Sequence, residues 1–306
     1  MSNTINETGQ RKLDQLFVKA IQQCQADKLV EAISKGVDPN IEVYHGQAAL
    51  HVVSEGDNMS LFNILIKHPN INIEIRNFEG FTPLMVATIN SRRDMVLGLL
   101  RKGADPNAAS ALGNRALHFA CRLSHMGIVF DLITNGGQVN GLSNCFDVTP
   151  LAIAAIDSPS MIITRYLLRK GAVLSGSKQF PLLLECALAC NNERRLATLR
   201  ILIDYGMDIN QVHPMEKRNC LHYAAISGYT PLAEYLLSEG ADLDAIDATG
   251  RTPLEIARDH QNSDVVWALK HWRRRKKINF ADQKAIIEVL SSSIENMKGT
   301  TSKTKN

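Results

Sequence analysis

One short pattern recurs along almost the whole chain at a period of about 33 residues. A leucine that follows a helix-start signal marks each copy, and the aligned leucines are Leu50, Leu84, Leu117, Leu151, Leu184, Leu221 and Leu254. Their successive spacings are 34, 33, 34, 33, 37 and 33 residues. A fixed period of this length indicates an array of small repeats, each of which buries its apolar face only against its neighbours.

Each repeat carries the signals of two short helices. In the stretch GFTPL, Thr82 can accept a hydrogen bond from the free N–H groups of the first helical turn. Pro83 then occupies the first helical position, where its missing N–H costs nothing. Gly103 follows the second helix and suits a left-handed cap, and the turn ADPN leads into the next repeat. The pattern predicts two antiparallel helices per repeat, joined to the next repeat by an extended hairpin.

One repeat is longer than the others. The distance from Leu184 to Gly206 is 22 residues, against 19 from Leu84 to Gly103. We expect the extra residues in the stretch NNERR, at 191–195, as part of the turn between the two helices.

The motif resembles that of the ankyrin-repeat family. The stretches GFTPLMVA, GQAALHVV, GNRALHFA, KRNCLHYA and GRTPLEIA are variants of the family pattern G-x-T-P-L-H-x-A. The resemblance implies an all-α repeat solenoid of stacked helix-turn-helix units with projecting β-hairpin loops. We divide the chain into a flexible N-terminus (1–11), an ankyrin-repeat domain of about seven repeats plus an N-terminal capping helix pair (12–272), and a basic C-terminal tail with a short amphipathic helix (273–306).

Composition and patterning point to an intracellular protein. Apolar residues make up 45% and charged residues 21% of the chain, and no run of 18 apolar residues could span a membrane. The first residues lack the apolar segment of a secretory signal, and the six cysteines form no Cys-x-x-Cys pair. We therefore expect reduced thiols and a cytoplasmic location, with the nucleus as an alternative.

The sequence predicts no catalytic activity, cofactor or metal. It contains no Gly-rich phosphate loop, no G-x-S-x-G and no H-E-x-x-H. His51, His118 and His222 occupy the same position in three repeats, directly after the aligned leucine. Residues one repeat apart are too distant to share a metal or a proton, so we expect each imidazole to bond within its own hairpin–helix junction.

The function that remains is protein binding. In the ankyrin family, partners usually contact hairpin tips and the exposed side of the first helices, which implies a non-catalytic scaffold or adaptor with no small-molecule substrate. The corresponding positions here are Tyr44, Phe78, Phe81, Ile89, Leu112, Arg122, Phe146, Ile156, Arg218 and Arg251. Exposed apolar tips at Tyr44, Phe78, Phe81, Leu112, Phe146 and Val148 would form a ridge suited to a partner. The alternative is that these rings pack on one another.

The end of the chain is basic, while the rest is slightly acidic. From His271 onward there are nine Lys/Arg and three Asp/Glu, against 25 and 28 in the remainder. We expect Trp267, Leu269 and Trp272 to be core or capping residues of the last repeat. The cluster Arg273, Arg274, Arg275, Lys276 and Lys277 has three interpretations: a solvated helix end, a nuclear-import or nucleic-acid patch, or a helix read by calmodulin or an anionic membrane.

Two further functions stay open from the sequence. One is a nuclear regulatory protein that uses the basic tail, and the other is a targeting subunit of an enzyme complex such as a ubiquitin ligase. Nucleic-acid binding by the repeats themselves is disfavoured because their net charge is negative and their tips carry no basic stripe.

Overall fold

The structure is a computed structural model that describes residues 2–143, 147–174 and 181–274, with side chains from residue 9 onward. The chain divides into two compact units. The first unit comprises residues 1–186 and 193–207, and the second comprises residues 187–192 and 208–306.

Short helices dominate the chain as far as residue 207. They are α1 (Ser2–Gln22), α2 (Ala26–Ser34), α3 (Ala49–Glu55), α4 (Met59–Lys67), α5 (Pro83–Ile89), α6 (Arg93–Lys102), α7 (Ala116–Arg122), α8 (Met126–Thr134), α9 (Pro150–Ala152), α10 (Met161–Arg169), α11 (Leu182–Ala189) and α12 (Glu193–Asp204). A π-helical turn, Ile153–Asp157, continues α9. One hairpin forms a two-stranded antiparallel sheet from β1 (Glu42–Tyr44) and β2 (Gln47–Ala48).

The helices of the first unit form two layers around one core. The inner layer contains α3, α5, α7 and α9 with its π-helical turn, and each of these contacts the next. The outer layer contains α2, α4, α6, α8, α10 and α12, again in contact one after another. The aligned leucines are buried between the layers: Leu50, Leu84, Leu117 and Leu151. The predicted all-α repeat fold is thereby confirmed.

The second unit repeats this architecture with fewer elements. Its helices are α13 (Cys220–Ser227), α14 (Thr230–Ser238), α15 (Pro253–Asp259) and α16 (residues 263–274). The first helices of its two repeats, α13 and α15, contact each other, and α14 packs on α13. Of its two aligned leucines, Leu221 is fully buried and Leu254 is half-buried.

The helix signals read from the sequence are present in the structure. The Thr82 side chain accepts a hydrogen bond from the Met85 N–H at 3.4 Å, with Pro83 in the first turn of α5. Thr149 does the same for the Ala152 N–H at 3.1 Å. Gly103 ends α6 with a φ of 98°, a left-handed conformation that glycine adopts without strain.

Two boundaries differ from the expectation. The turn before α12 has three residues, 190–192, as does the turn between α5 and α6. Two of the three extra residues of this repeat instead lengthen α12 to 12 residues against 10 in α6, so Glu193 and Arg195 are helical, and the third is Tyr205, between α12 and Gly206. At the start of the chain, α1 begins at Ser2 and therefore runs through the segment that we expected to be flexible.

Asparagines link successive hairpins in the first unit. The Asn107 amide donates to the carbonyl of Gly136 at 2.9 Å and accepts from the Gln138 N–H at 2.7 Å. Asn40 and Asn140 make the same pair of bonds with their own following repeats. Each asparagine thus holds two hairpins at a fixed separation.

Candidate protein-binding surface

Three consecutive hairpin tips of the first unit lie side by side. Phe78, in the second tip, is 81% exposed, yet its ring lies over Gly46 of the first tip. A side-chain carbon at Gly46 would come within 2.5 Å of that ring, and Gly46 has a φ of +73°. Only glycine leaves room for the ring there, so one edge of Phe78 is supported while the rest faces solvent.

The second and third tips are joined through their backbones. The Ala111 N–H donates to the carbonyl of Glu79 at 3.1 Å. Leu112 follows in the third tip and is 60% exposed. We define the tip surface as Tyr44, Phe78 and Leu112, the three apolar side chains that these neighbouring tips present.

Phe81 does not belong to the exposed part of the predicted ridge. Its ring is half-buried and packs edge-to-face on Phe119 of α7, with the ring centroids 5.5 Å apart. The two phenylalanines of this tip therefore point in different directions, Phe78 outward and Phe81 inward. Internal packing thus explains the position of the Phe81 ring, whereas the Phe78 ring stays largely in solvent. Phe146, in the fourth tip, lies outside the described residues.

Tyr44 connects the tip surface to a pocket of about 750 Å³. Burial, together with the Glu55 carboxylate beside its hydroxyl group, raises the pKa of Tyr44. The pocket is lined by Gln22 at the end of α1, by Cys24 in the turn that follows, by Val52 and Glu55 of α3, and by Met59 of α4. No sequence signal marked it, because it forms where the capping helix meets the first full repeat.

The predicted inner-layer residues lie partly in internal contacts. Ile89 and Ile156 are half-buried. The carbonyl of Ile156 accepts a hydrogen bond from Arg195 of α12 at 2.9 Å. Arg122 is exposed and forms an ion pair with Asp157, with 3.4 Å between Nη2 and Oδ2.

In the second unit, the predicted binding residues Arg218 and Arg251 surround a buried carboxylate. The side chain of Asp247 is 1% exposed, and its Oδ2 lies 3.6 Å from Arg218 Nε and 3.4 Å from Arg251 Nη2. Its Oδ1 accepts hydrogen bonds from the N–H groups of Thr249 and Arg251, at 2.8 and 3.0 Å.

These contacts favour the ionised form of Asp247. Burial by itself would raise the pKa of its carboxyl group, but the hydrogen bonds from Thr249 and Arg251 outweigh burial and hold the pKa well below its usual range. The two arginines therefore stabilise the hairpins of this unit: Arg251 contacts Asp247 within its own hairpin, and Arg218 contacts it from the preceding repeat. The sequence pattern did not predict this role.

The three aligned histidines connect neighbouring repeats. Nδ1 of His51 accepts from the Ala48 N–H at 3.2 Å, so Nε2 carries the proton and donates to the carbonyl of Phe81 at 2.9 Å. His118 bonds the Arg115 N–H and the Val148 carbonyl in the same way, at 3.1 and 3.2 Å. The expected bond within the junction is present, but a second bond reaches the next repeat.

Burial keeps these imidazoles neutral. It lowers the pKa of His51 and His222, and it lowers that of His118 to about 4. In His222, Nε2 lies 3.2 Å from the carbonyl oxygen of Arg251, the position that corresponds to Phe81. The environment of these histidines is structural, because both ring nitrogens are occupied by backbone groups.

Within the described residues, no cluster of three or more His, Cys, Asp or Glu side chains could hold a metal ion. No helix in this part of the chain has the length and apolar character needed to cross a membrane.

The described part of the basic tail continues α16. Arg273 forms an ion pair with Asp244, and Arg274 is exposed. Arg275, Lys276, Lys277 and the expected amphipathic helix lie outside the described residues. Leu269 is buried as expected, but Trp267 is 61% exposed and stacks on His271 at 4.6 Å, so it is not a core residue.

Several curated proteins resemble parts of the chain. Transient receptor potential cation channel subfamily A member 1 of Homo sapiens is 24% identical over 257 residues, which cover 81% of this chain and 23% of the channel. Ankyrin repeat protein nuc-2 of Neurospora crassa is 39% identical over 110 residues, or 36% of this chain and 10% of that protein. Neurogenic locus notch homolog protein 1 of Danio rerio is 31% identical over 151 residues, which cover 49% of this chain and 6% of that protein. The chain spans less than a quarter of the length of each of these relatives.

The fold also matches a solved structure. The ankyrin-repeat domain of Bcl-3, described as a unique member of the IkappaB protein family, superposes with a TM-score of 0.63 at 24% identity. The match covers 74% of this chain and all of that chain. A family model described as ankyrin repeats (3 copies) matches residues 17–110 and 183–282, more than half of the sequence. The chain belongs to the ankyrin-repeat family.

Proposed function

We propose that this protein is a non-catalytic scaffold that binds a partner protein through the tip surface and the adjoining pocket of its first unit. Ankyrin repeats generally mediate protein–protein interaction, which supports the class of function. The observation that carries the specific surface is Phe78, a large apolar side chain that is 81% exposed on a well-ordered tip. Aromatic side chains held in this way are frequent centres of protein interfaces.

The second tip is rigid before any partner arrives. The Asn77 side-chain oxygen accepts hydrogen bonds from the N–H groups of Glu79 and Phe81, at 3.0 and 2.9 Å. The Gly80 N–H closes the turn on the Asn77 carbonyl at 2.9 Å. Because the tip is already ordered, a partner that covers Phe78 loses little conformational entropy from this side.

The charge around this surface favours a partner with both basic and apolar side chains. Glu42 and Glu79 are exposed on the tips, and Glu55 lines the pocket next to Tyr44. A lysine or arginine beside an apolar residue would satisfy both the carboxylates and the exposed rings.

We propose the cytoplasm as the compartment, with the nucleus as the alternative.

Affinity capture from a cell lysate tests this proposal with three baits. They are the full chain, the tip variant Phe78→Ser/Leu112→Ser, and a control variant Val30→Ser/Val173→Ser that removes exposed apolar groups elsewhere. We expect proteins that bind the full chain and the control to be depleted on the tip variant by about tenfold or more. Circular dichroism establishes that all three baits fold. Equal recovery on all three would show that the tip surface is not the binding site.

A further inference from the structure

The outer layer of the first unit carries a surface that the proposed function does not use. On α10, Ile162 is 68% exposed, and Arg165 and Arg169 are exposed beside it. These positions are three and four residues apart along the helix, as is Tyr166, so all four lie on one face. Apolar and cationic groups thus alternate along a single exposed stripe.

This stripe continues onto the neighbouring helix. Phe130 of α8 is half-exposed, and its ring packs on Tyr166 with the centroids 6.0 Å apart. The ammonium group of Lys170 lies 5.6 Å from the centre of the Tyr166 ring. We define the α8–α10 surface as Phe130, Ile162, Arg165, Tyr166 and Arg169.

The charges around this surface are unbalanced. Across α6, α8 and α10, which the structure describes in full, Asp94 is the one exposed carboxylate. Asp131 is 7% exposed and already holds Arg93, with 2.6 Å between Oδ2 and Nε.

Four exposed cations on these helices have no ionic partner in the described part of the chain. They are Arg101, Lys102, Arg165 and Arg169. The hairpins of the same unit instead carry exposed acids, among them Glu42, Glu79 and Asp105. Positive charge is therefore in excess on α6, α8 and α10, whereas α12, which also packs on α10, carries exposed Glu193 and Asp204 together with Arg194 and Arg200.

We propose that the α8–α10 surface is a second docking site and that its occupant is an acidic segment of another protein with at least one aromatic or aliphatic anchor. The anchor would cover Phe130, Tyr166 and Ile162, and carboxylates would pair with Arg165 and Arg169. Arginine is suited to this task because its planar guanidinium group donates two parallel hydrogen bonds to a carboxylate.

The observations favour an acidic segment over an anionic membrane or a nucleic acid. Recognition of anionic lipids generally uses a cluster of about four to eight Lys/Arg, whereas α10 and its cap supply three: Arg165, Arg169 and Lys170. Arg101 and Lys102 belong to α6, which is separated from α10 by α8. A nucleic acid needs a longer basic stripe, but the chain before His271 carries 25 Lys/Arg against 28 Asp/Glu. The site goes beyond the tip surface, because a chain with both could hold two partners at once.

Peptide display on the full chain tests the proposal. A phage library of random peptides is selected on the wild-type chain and counter-selected against the variant Ile162→Ser/Arg165→Glu/Arg169→Glu. The enriched peptides are then synthesised, and their binding is measured by fluorescence anisotropy. We expect peptides with net negative charge and an apolar anchor, bound about tenfold or more weakly by the triple variant.

Three further chains serve as controls. Lys28→Glu/Lys67→Glu makes the same charge change on α2 and α4, and it should bind like the wild type. Phe78→Ser should also bind like the wild type, which separates this site from the tip surface. Arg165→Lys/Arg169→Lys should bind more weakly than the wild type but better than the triple variant. If the triple variant fails to fold, Arg169→Glu at the end of α10 replaces it.

Three outcomes would overturn the proposal. The first is a selection that yields no peptides, or peptides without excess Asp and Glu. The second is equal binding by the wild type and the triple variant. The third is binding of vesicles of phosphatidylcholine with phosphatidylserine, or of a short DNA duplex, that is lost in the triple variant while acidic peptides fail to bind. That result would assign the surface to a membrane or to nucleic acid.

Discussion

The ring of Phe62 in α4 lies directly against Gly98 in α6, where a side-chain carbon would come within 2.6 Å of Cε1. Phe62 is fully buried, so the ring has little space into which it can move. Alanine is favoured over glycine in a helix by about 1 kcal/mol. We nevertheless expect Gly98→Ala to destabilise the chain by about 1–3 kcal/mol, because overpacking outweighs the gain in helix propensity.

Urea unfolding measures this effect, and a double-mutant cycle attributes it. Phe62→Leu should cost stability alone, but it should partly relieve the cost of Gly98→Ala when the two are combined. A Gly98→Ala chain more stable than the wild type would show that the two helices can separate without loss.

The tip surface predicts opposite responses at two neighbouring phenylalanines. Phe78→Ser should change the free energy of unfolding by no more than about 0.5 kcal/mol, because the ring is largely in water. Phe81→Ser should cost about 1–3 kcal/mol, since it removes the contact with Phe119. Thermal and urea unfolding of the two variants provide the comparison. Equal losses would mean that Phe78 contributes to the core after all.

The buried histidines predict that acid weakens the fold. In the unfolded chain they titrate near 6.5, whereas burial lowers their pKa in the folded chain, for His118 to about 4. Between those values the unfolded chain binds more protons, so the free energy of unfolding falls as the pH decreases. We expect the free energy of unfolding to fall by up to about 1.4 kcal/mol for each histidine per unit decrease in pH in this window. Urea unfolding at several pH values from 7.5 downward measures the slope.

Two variants separate this effect from general acid denaturation. His118→Gln should be less stable at neutral pH but should show a shallower slope between the two pKa values. His260→Gln changes an exposed histidine and should leave the slope as it is. A wild-type chain whose stability is constant down to pH 5 would contradict the assigned role.

Two carboxylates of the second unit should differ in their contribution to stability. Asp247→Ala removes the acceptor of two backbone N–H groups and leaves two arginines without their buried partner, so we expect a loss of roughly 2–4 kcal/mol. Asp259→Ala removes an exposed ion pair with Arg251 and should cost less than about 1 kcal/mol.

Hydrogen exchange locates the effect within the second unit. The amides of Thr249 and Arg251 should exchange faster in Asp247→Ala and remain protected in Asp259→Ala. Similar protection in both variants would mean that Asp247 does not hold the hairpin.

Local signals in the sequence were sufficient for the fold. The period and the Thr-Pro starts predict helices that the structure contains, because a cap or a turn depends on residues within one or two turns of a helix. Gly103 ends α6 in the left-handed conformation, as the stretch GADPN predicts. The prediction for the long repeat was wrong, because two of its three additional residues extend α12 as regular helix and none enlarges the turn.

Contacts between repeats could not be predicted from the sequence. The bond from His51 to the Phe81 carbonyl spans 30 residues, and the pair of Arg93 and Asp131 spans 38. In each pair, no local sequence pattern at one residue identifies the other residue as its partner. The opposite orientations of Phe78 and Phe81 likewise depend on Gly46 and Phe119, in other repeats. The pattern located the candidate surface, but only packing determines which of its side chains face solvent.

The asparagine links between hairpins have a mechanical consequence. The side-chain nitrogen and oxygen of Asn107 both form hydrogen bonds with the next hairpin, and those of Asn40 and Asn140 do the same with theirs. When tension is applied to the first unit, each joint can rupture separately, because its two bonds are shared with one neighbour only. One ruptured repeat of about 33 residues would lengthen the chain by at most about 110 Å. We therefore expect the first unit to extend under tension in discrete steps, one repeat at a time.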